Sequence, residues 1–304
     1  MNFTVTVQPA GRAFEVARDE VMLGAAIRQG IGLPYGCKDG ACGSCKSRLL
    51  DGRVIHGAHQ AKALSAEEEQ AGLILTCCAT PQTDCVIESR QVTAADQFPV
   101  LKMPSRVLSI TRPAPDVAVL TLQLPANQVF RYHAGQYVEF ILRDGARRSY
   151  SMASAPERAQ GTIELHIRHM PGGRFTDHVF GAMKEKEILR MEGPYGSFFL
   201  REDSTKPVVL LASGTGFAPI KALIEHMEAQ GMTRSAVLYW GARQAADLYL
   251  NDWAEQAAAR LPWLTYVPVL SEAGPEWTGR SRFGHRAGTA DPPDPSGPPG
   301  FARG

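Results

Sequence analysis

Cys37, Cys42 and Cys45 follow a C-x4-C-x2-C spacing on a loop that also holds Gly36, Gly40 and Gly43, and 31 residues intervene before Cys77. Thiols so placed suit metal ligation rather than a disulfide frame. All six cysteines lie between Cys37 and Cys85, the last 219 of 304 residues hold none, and a reducing compartment keeps such residues as thiols or ligands. Three thiolates on one tight loop and a fourth from a distant segment match the plant-type spacing for a [2Fe-2S] cluster. The glycines let the backbone close in, so that N–H groups reach the sulfurs and tune the potential. A zinc site usually brings two close pairs. Here the distal partner is Cys77, with the adjacent Cys78 as its one competitor.

Two further groups of residues suit bound nucleotides. Arg148-Ser149-Tyr150-Ser151-Met152-Ala153-Ser154 is followed by Gly172-Gly173-Arg174-Phe175-Thr176 at the start of a helical segment. A flavin ring needs an aromatic platform with hydrogen-bonding groups at its edge, and its phosphates need Arg charge and free N–H groups at a helix start. Taken singly, either stretch reads as an ordinary strand or turn; in this order they fit a flavin, through Arg148, Tyr150, Ser151, Ser154, Gly173 and Thr176. Farther on, Val208 to Ala212 runs into Ser213-Gly214-Thr215-Gly216-Phe217-Ala218-Pro219 and then a helix. A glycine turn between strand and helix presents backbone donors to a pyrophosphate, which assigns Gly214, Thr215, Gly216 and Pro219 to nucleotide phosphates; a routine tight turn is the alternative. Gly241-Ala242-Arg243 faces the adenosine end or is plain surface, and it does not separate NADH from NADPH. Neither H-E-x-x-H nor G-x-S-x-G occurs, so hydrolytic and mononuclear-zinc chemistry lack their motifs. His166 and His169 read as strand and surface residues, and Glu67-Glu68-Glu69 as a solvated helix start.

These residues need several scaffolds. A chain of 304 residues exceeds one core. Its net charge of +1 gives no general attraction to nucleic acid or an anionic membrane. Runs such as Val208 to Ala212 are too short to span a bilayer, and the alternating N-terminus lacks signal-peptide character; a soluble, cytoplasmic protein is expected. Residues 1–92 read as small mixed β: strands Phe3 to Gln8 and Arg12 to Ala17, a helix from Glu20 to Gln29, Cys45 to Leu50 and Val54 to His56 around the turn signal Asp51-Gly52, a capping box at Ser65, and a closing strand Val86 to Glu88. Residues 93–104 read as a linker. Residues 105–203, with strands at Val107 to Ile110, Val117 to Leu124, Tyr137 to Leu142 and Thr162 to Ile167, suit an antiparallel barrel. In residues 204–280 strands and helices alternate as in a parallel α/β domain. Ten of the last 24 residues are Gly or Pro, so 281–304 is expected to form no helix or central strand.

Taken together, the motifs resemble the ferredoxin–NAD(P)H reductase superfamily with an N-terminal plant-type ferredoxin domain. The loop Leu33 to Lys46 is most similar to CDP-6-deoxy-3,4-glucoseen reductases and to reductase components of bacterial oxygenases. Leu75-Thr76-Cys77 is similar to the Leu-Thr-Cys of those ferredoxins, which favours Cys77 over Cys78 and leaves Cys78 and Cys85 as ordinary cysteines. Gly193-Pro194-Tyr195-Gly196 fits the end of the family's barrel. The resemblance implies a multidomain α+β and α/β chain: a β-grasp ferredoxin domain, an antiparallel flavin-binding β-barrel and an incomplete parallel α/β nucleotide-binding domain. It implies FAD rather than FMN, and electrons passing from NAD(P)H through FAD and the cluster to an acceptor protein, a dehydratase or oxygenase component. Past Trp277-Thr278-Gly279-Arg280 the sequence departs from the family's pattern, and a truncated or frameshifted end without the nicotinamide half of the site is expected. The rival readings are an electron-carrier module or a fragment impaired in NAD(P)H oxidation.

Overall fold

The structure, a computed structural model, describes residues 2–89, 92, 98–281 and, as backbone only, 301–303. Two compact units divide the chain: Met1–Pro99 with Gly196–Phe198, and Val100–Tyr195 with Phe199–Gly304.

In the first unit, β1 (Asn2–Gln8) and β2 (Arg12–Ala17) pair antiparallel. Their period-two pattern buries Val5, Val7, Phe14 and Val16. Helix α1 (Met22–Arg28) buries Met22, Leu23, Ala25 and Ala26. With β3 (Lys46–Asp51), β5 (Leu73–Leu75) and β7 (Cys85–Glu88) the sheet runs β2-β1-β7-β3-β5, β1 and β7 being parallel, which is a β-grasp arrangement. The capping box forms at α2 (Ala66–Gln70): Glu68 N donates to Ser65 Oγ at 3.2 Å and Ser65 N to Glu68 Oε2 at 2.9 Å. The strands flanking Asp51-Gly52 do not pair as a hairpin. β4 (Val54–His56) instead joins β6 (Ala79–Pro81) in a separate ribbon, because β3 already has β5 and β7 on its two sides. Gly52, at φ +96°, passes so close to Asp84 O that a Cβ would lie 2.4 Å from it.

In the second unit six antiparallel strands follow the order β11-β10-β13-β8-β9-β12. They are β8 (Leu101–Ala114), β9 (Val117–Gln123), β10 (Tyr137–Ile141), β11 (Arg147–Ser151), β12 (Thr162–Arg168) and β13 (Ile188–Tyr195). A bridge between Met152 and Leu165 joins the two ends into a barrel, filled by Leu120, Leu122, Phe140, Ile163, Ile167 and Met191. β8 begins inside the stretch read as a linker: buried Met103, Ser105 and Val107 alternate with exposed Lys102, Pro104 and Arg106, and that alternation outweighs the proline. Helices α3 (Pro156–Ala159) and α4 (Arg174–Gly181) lie in the barrel's connections.

The same unit continues as β14 (Val208–Ser213), α5 (Phe217–Ala229), β15 (Ala236–Ala242), α6 (Asn251–Arg260) and β16 (Leu264–Leu270). All strand pairs are parallel, in the order β16-β15-β14-β17. β17 (Phe301–Arg303) is an edge strand against β14. The rest of the Gly/Pro-rich tail expected at 281–304 lies outside the described residues apart from Ser281.

Candidate functional site

The four expected cluster ligands come together as two sulfur pairs. On the loop, Cys37 N donates to Cys42 Sγ at 3.3 Å, while Ala41 N and Cys42 N donate to Cys37 Sγ at 3.3 and 3.4 Å. The second pair joins distant segments, with Cys45 Sγ and Cys77 Sγ 3.3 Å apart. A tetrahedral metal with sulfur bonds of ~2.3 Å spaces its sulfurs by roughly 3.7 Å, so the Cys45–Cys77 pair is close enough to share one ion. Thiols arranged by twos, with three on one loop and the fourth from a distant segment, follow the ligand pattern of a two-iron centre. The glycines close the cradle. Gly40 has φ +73°, and a Cβ there would lie 2.7 Å from His59 Cβ and 2.8 Å from Cys78 Sγ.

The electrostatics run the same way. Burial opposes ionisation of Cys42, but hydrogen bonds with the Ser44 hydroxyl and from the N–H groups of Cys37 and Ser44 outweigh it and bring its pKa down to about 7. The Cys45 thiol is pushed upward by its Cys77 neighbour and by burial. Ionising Cys45 beside a second buried sulfur is disfavoured unless a bound cation offsets the charge. Cys45 and Cys77 are buried, whereas Cys37 is half-buried and Cys42 exposed, so one edge of the cradle faces solvent. Of the acidic run beside this region, Glu68 pairs with Lys46 at 2.6 Å and Glu69 with His56 at 2.7 Å.

Arg148, Tyr150 and Ser151 lie on β11. In the sheet order β11 is terminal, and among the described residues its strand partner over this span is β10 alone, so one row of its backbone groups has no strand partner among them. Tyr150 is half-buried, 5.2 Å from Phe175 and 6.1 Å from Phe140 between ring centroids, and burial pushes its hydroxyl up to about 12. Arg147 fastens the strand through Glu139 at 2.9 Å and Glu192 at 3.0 Å, while the Arg148 side chain is exposed. Gly173 caps α4 in a turn where a Cβ would meet Met170 O at 2.7 Å and Thr176 Oγ1 at 2.6 Å. Two expected flavin residues have their hydroxyls engaged within the fold. Thr176 donates to Met170 O at 2.8 Å, and Ser154 accepts from Glu164 N at 3.1 Å. The platform, the unpaired strand edge and the close glycine turn suit a flavin nucleotide.

Gly214, Thr215 and Gly216 make a single 3-10 turn between β14 and α5. Trp240 Nε1 donates to Gly214 O at 3.1 Å, and the Trp240 ring stacks on Phe217 with centroids 3.8 Å apart. A Cβ on Gly216 would meet nothing within 4 Å, so the turn opens onto space. Pro219 is buried in the first turn of α5, where a missing N–H costs nothing; it shapes the helix start and donates no hydrogen bond. Arg168 was not legible in the sequence as a site residue. Its guanidinium carbon lies 3.6 Å from where a Gly214 Cβ would be, and among the described residues its buried Nε and Nη2 make no hydrogen bond, Asp116 being 3.5 Å away as an ion-pair partner. A phosphate oxygen would satisfy those donors. His166, expected in a strand or at the surface, is a strand residue at 4% exposure.

Comparison with known proteins follows the same three-part division. The chain matches the family described as 2Fe-2S iron-sulfur cluster binding domain over residues 5–82, the oxidoreductase FAD-binding domain over 104–200 and the oxidoreductase NAD-binding domain over 210–288. It is 38% identical over 294 residues to CDP-6-deoxy-L-threo-D-glycero-4-hexulose-3-dehydrase reductase of Yersinia pseudotuberculosis, covering 97% of this chain and 88% of that one. Reductase component 1 of terephthalate 1,2-dioxygenase from Comamonas is 36% identical over 274 residues, covering 90% and 80%. Among solved structures, the Amycolatopsis cytochrome P450 reductase GcoB superposes with a TM-score of 0.76 at 34% identity, covering 97% of this chain and 88% of that one. No helix among the described residues is long and apolar enough to cross a membrane. With relatives this similar aligned along nearly its whole length, the chain belongs to the family of NAD(P)H-dependent oxidoreductases that join a 2Fe-2S ferredoxin domain to FAD-binding and NAD-binding domains.

Proposed function

We propose that Cys37, Cys42, Cys45 and Cys77 hold the [2Fe-2S] cluster, that Arg148, Tyr150, Ser151 and Gly173 contact FAD, and that Gly214, Thr215, Gly216 and Arg168 receive the pyrophosphate of NAD(P)H. Ser154 and Thr176 brace the flavin strand and turn from behind, and Pro219 fixes the start of α5. The matched spans 5–82, 104–200 and 210–288 support a three-part division close to 1–92, 105–203 and 204–280, with the barrel beginning at Leu101 inside the stretch 93–104. FAD supplies the step that no side chain provides, accepting a two-electron hydride and releasing electrons singly. The chain's own groups position and tune: amides of Cys37, Ala41, Cys42 and Ser44 point at sulfur, and such bonds set a cluster's potential.

The half-exposed Cys37–Cys42 edge supports electron exit to a docked protein. The relatives' names point to a dehydratase or oxygenase component as the acceptor. Six cysteines with no disulfide among them, four of them assigned to the cluster, support a reducing compartment, the cytoplasm.

The two sulfur pairs carry this reading. Protein purified without oxygen should be coloured and contain two irons, two acid-labile sulfides and one FAD per chain. A colourless chain without iron or sulfide would overturn it.

A further inference from the structure

Cys78 lies where a sixth ordinary cysteine has no reason to be. In an extended strand, consecutive side chains point to opposite faces. Here Cys78 N closes a turn onto Leu75 O at 2.9 Å, and the turn sets the Cys77 and Cys78 sulfurs 3.6 Å apart. Cys78 is 6% exposed. Its sulfur also packs against the ligand loop, where a Cβ on Gly40 would come within 2.8 Å of it. Among the described residues its other hydrogen-bond partner is Ala58 O at 3.6 Å, a weak contact for a thiol. A single χ1 step moves a cysteine sulfur by roughly 3 Å, comparable with the gap to Cys77.

We propose that Cys78 is a reserve ligand, able to take the place of Cys77 on the iron that Cys45 shares; this rests on the cluster reading above. The exchange is balanced. An Fe–S bond to Cys78 forms as the bond to Cys77 breaks, the proton leaving Cys78 passes to Cys77, and no electron changes hands.

The test compares the full chain with Cys77→Ala, Cys78→Ala and the double variant, each reconstituted anaerobically with iron and sulfide. Iron and sulfide content, visible circular dichroism and EPR of the dithionite-reduced protein are recorded, and bound flavin together with an unchanged far-UV circular dichroism spectrum reports that both units of each variant have folded. Expected are a wild-type spectrum for Cys78→Ala, a cluster with shifted spectra for Cys77→Ala, and complete loss only in the double variant. A Cys77→Ala protein that keeps its flavin but is as empty of iron as the double variant would overturn the proposal, as would a cluster retained in the double variant. Loss in Cys78→Ala alone would also overturn it, by making Cys78 the primary ligand. Iron-free wild-type protein would instead remove the cluster reading and this proposal together.

Discussion

Lys221 Nζ on α5 and Glu164 Oε1 on β12 meet 3.1 Å apart, joining the barrel to the helix that follows the glycine turn. The ammonium also donates to Glu225 Oε1 at 2.6 Å and Ala153 O at 3.3 Å, and lies over the Trp253 ring. Glu225 Oε2 in turn accepts from Ala155 N at 3.0 Å. Ala153 and Ala155 lie just after strand β11, so one buried charge links the two elements of this unit proposed to bind nucleotides.

Replacing Lys221 by Met leaves two largely buried carboxylates without their cation. Breaking a buried pair by removing one partner costs about 3–5 kcal/mol. Urea unfolding followed by flavin release should show a loss of that size, with a smaller loss for Lys221→Arg. An unchanged midpoint would show that the network adds nothing.

Stability should also depend on pH through the same cluster. His166 is held between Glu164 at 2.9 Å and the Tyr249 hydroxyl at 2.8 Å, and burial lowers its pKa from 6.5. Burial works against the Glu164 carboxylate, but the His166 hydrogen bond and the Lys221 charge outweigh it and lower its pKa from 4.5 to about 2. Both folded values lie below the unfolded ones, so each contribution is present above the unfolded pKa and is lost as pH falls. Unfolding free energy should decline below pH 6.5 and fall further between 4.5 and about 2. Glu164→Gln should flatten the lower limb; a lower limb equally steep in that variant contradicts the assignment.

Gly40→Ala should disable the cluster loop while sparing the flavin. Its positive φ disfavours any side chain, and the added carbon would overlap His59 and Cys78. Iron and sulfide content measured against flavin content should fall several-fold; an unchanged ratio would mean that the loop has room to yield.

Trp240→Phe keeps an aromatic ring against Phe217 but removes the indole N–H that holds Gly214 O. A hydrogen bond of about 1 kcal/mol predicts a roughly fivefold rise in KM for NAD(P)H, with flavin content unchanged. Steady-state reduction of ferricyanide measures it, and an unaltered KM would detach Trp240 from the nucleotide turn.

Local signals in the sequence carried much of this structure. The strands at Arg12–Ala17 and Val54–His56 and the Ser65 cap are set by neighbours in the chain, and the structure has them at the expected residues. Pairing was less legible. β4 joins β6 and not β3, because partners are fixed by packing against Asp84 and Cys85, more than 30 residues away from the turn. β11 was hidden because Arg147 and Arg148 break the apolar alternation, although Arg147 is satisfied by Glu139 and Glu192 once the barrel closes. The Lys221–Glu164–His166 network and Arg168 beside Gly214 are assembled from segments about 45 to 60 positions apart in the chain, and no spacing rule marks such residues.

Electron flow from nucleotide to cluster is tested most directly by anaerobic rapid mixing of the purified protein with NADH or NADPH, followed optically and by freeze-quench EPR. The account predicts bleaching of the flavin absorption and then a reduced-cluster signal that is absent from a Cys42→Ala variant. Flavin that bleaches with dithionite but with neither nucleotide, or a cluster that stays oxidised after the flavin has bleached, would contradict it.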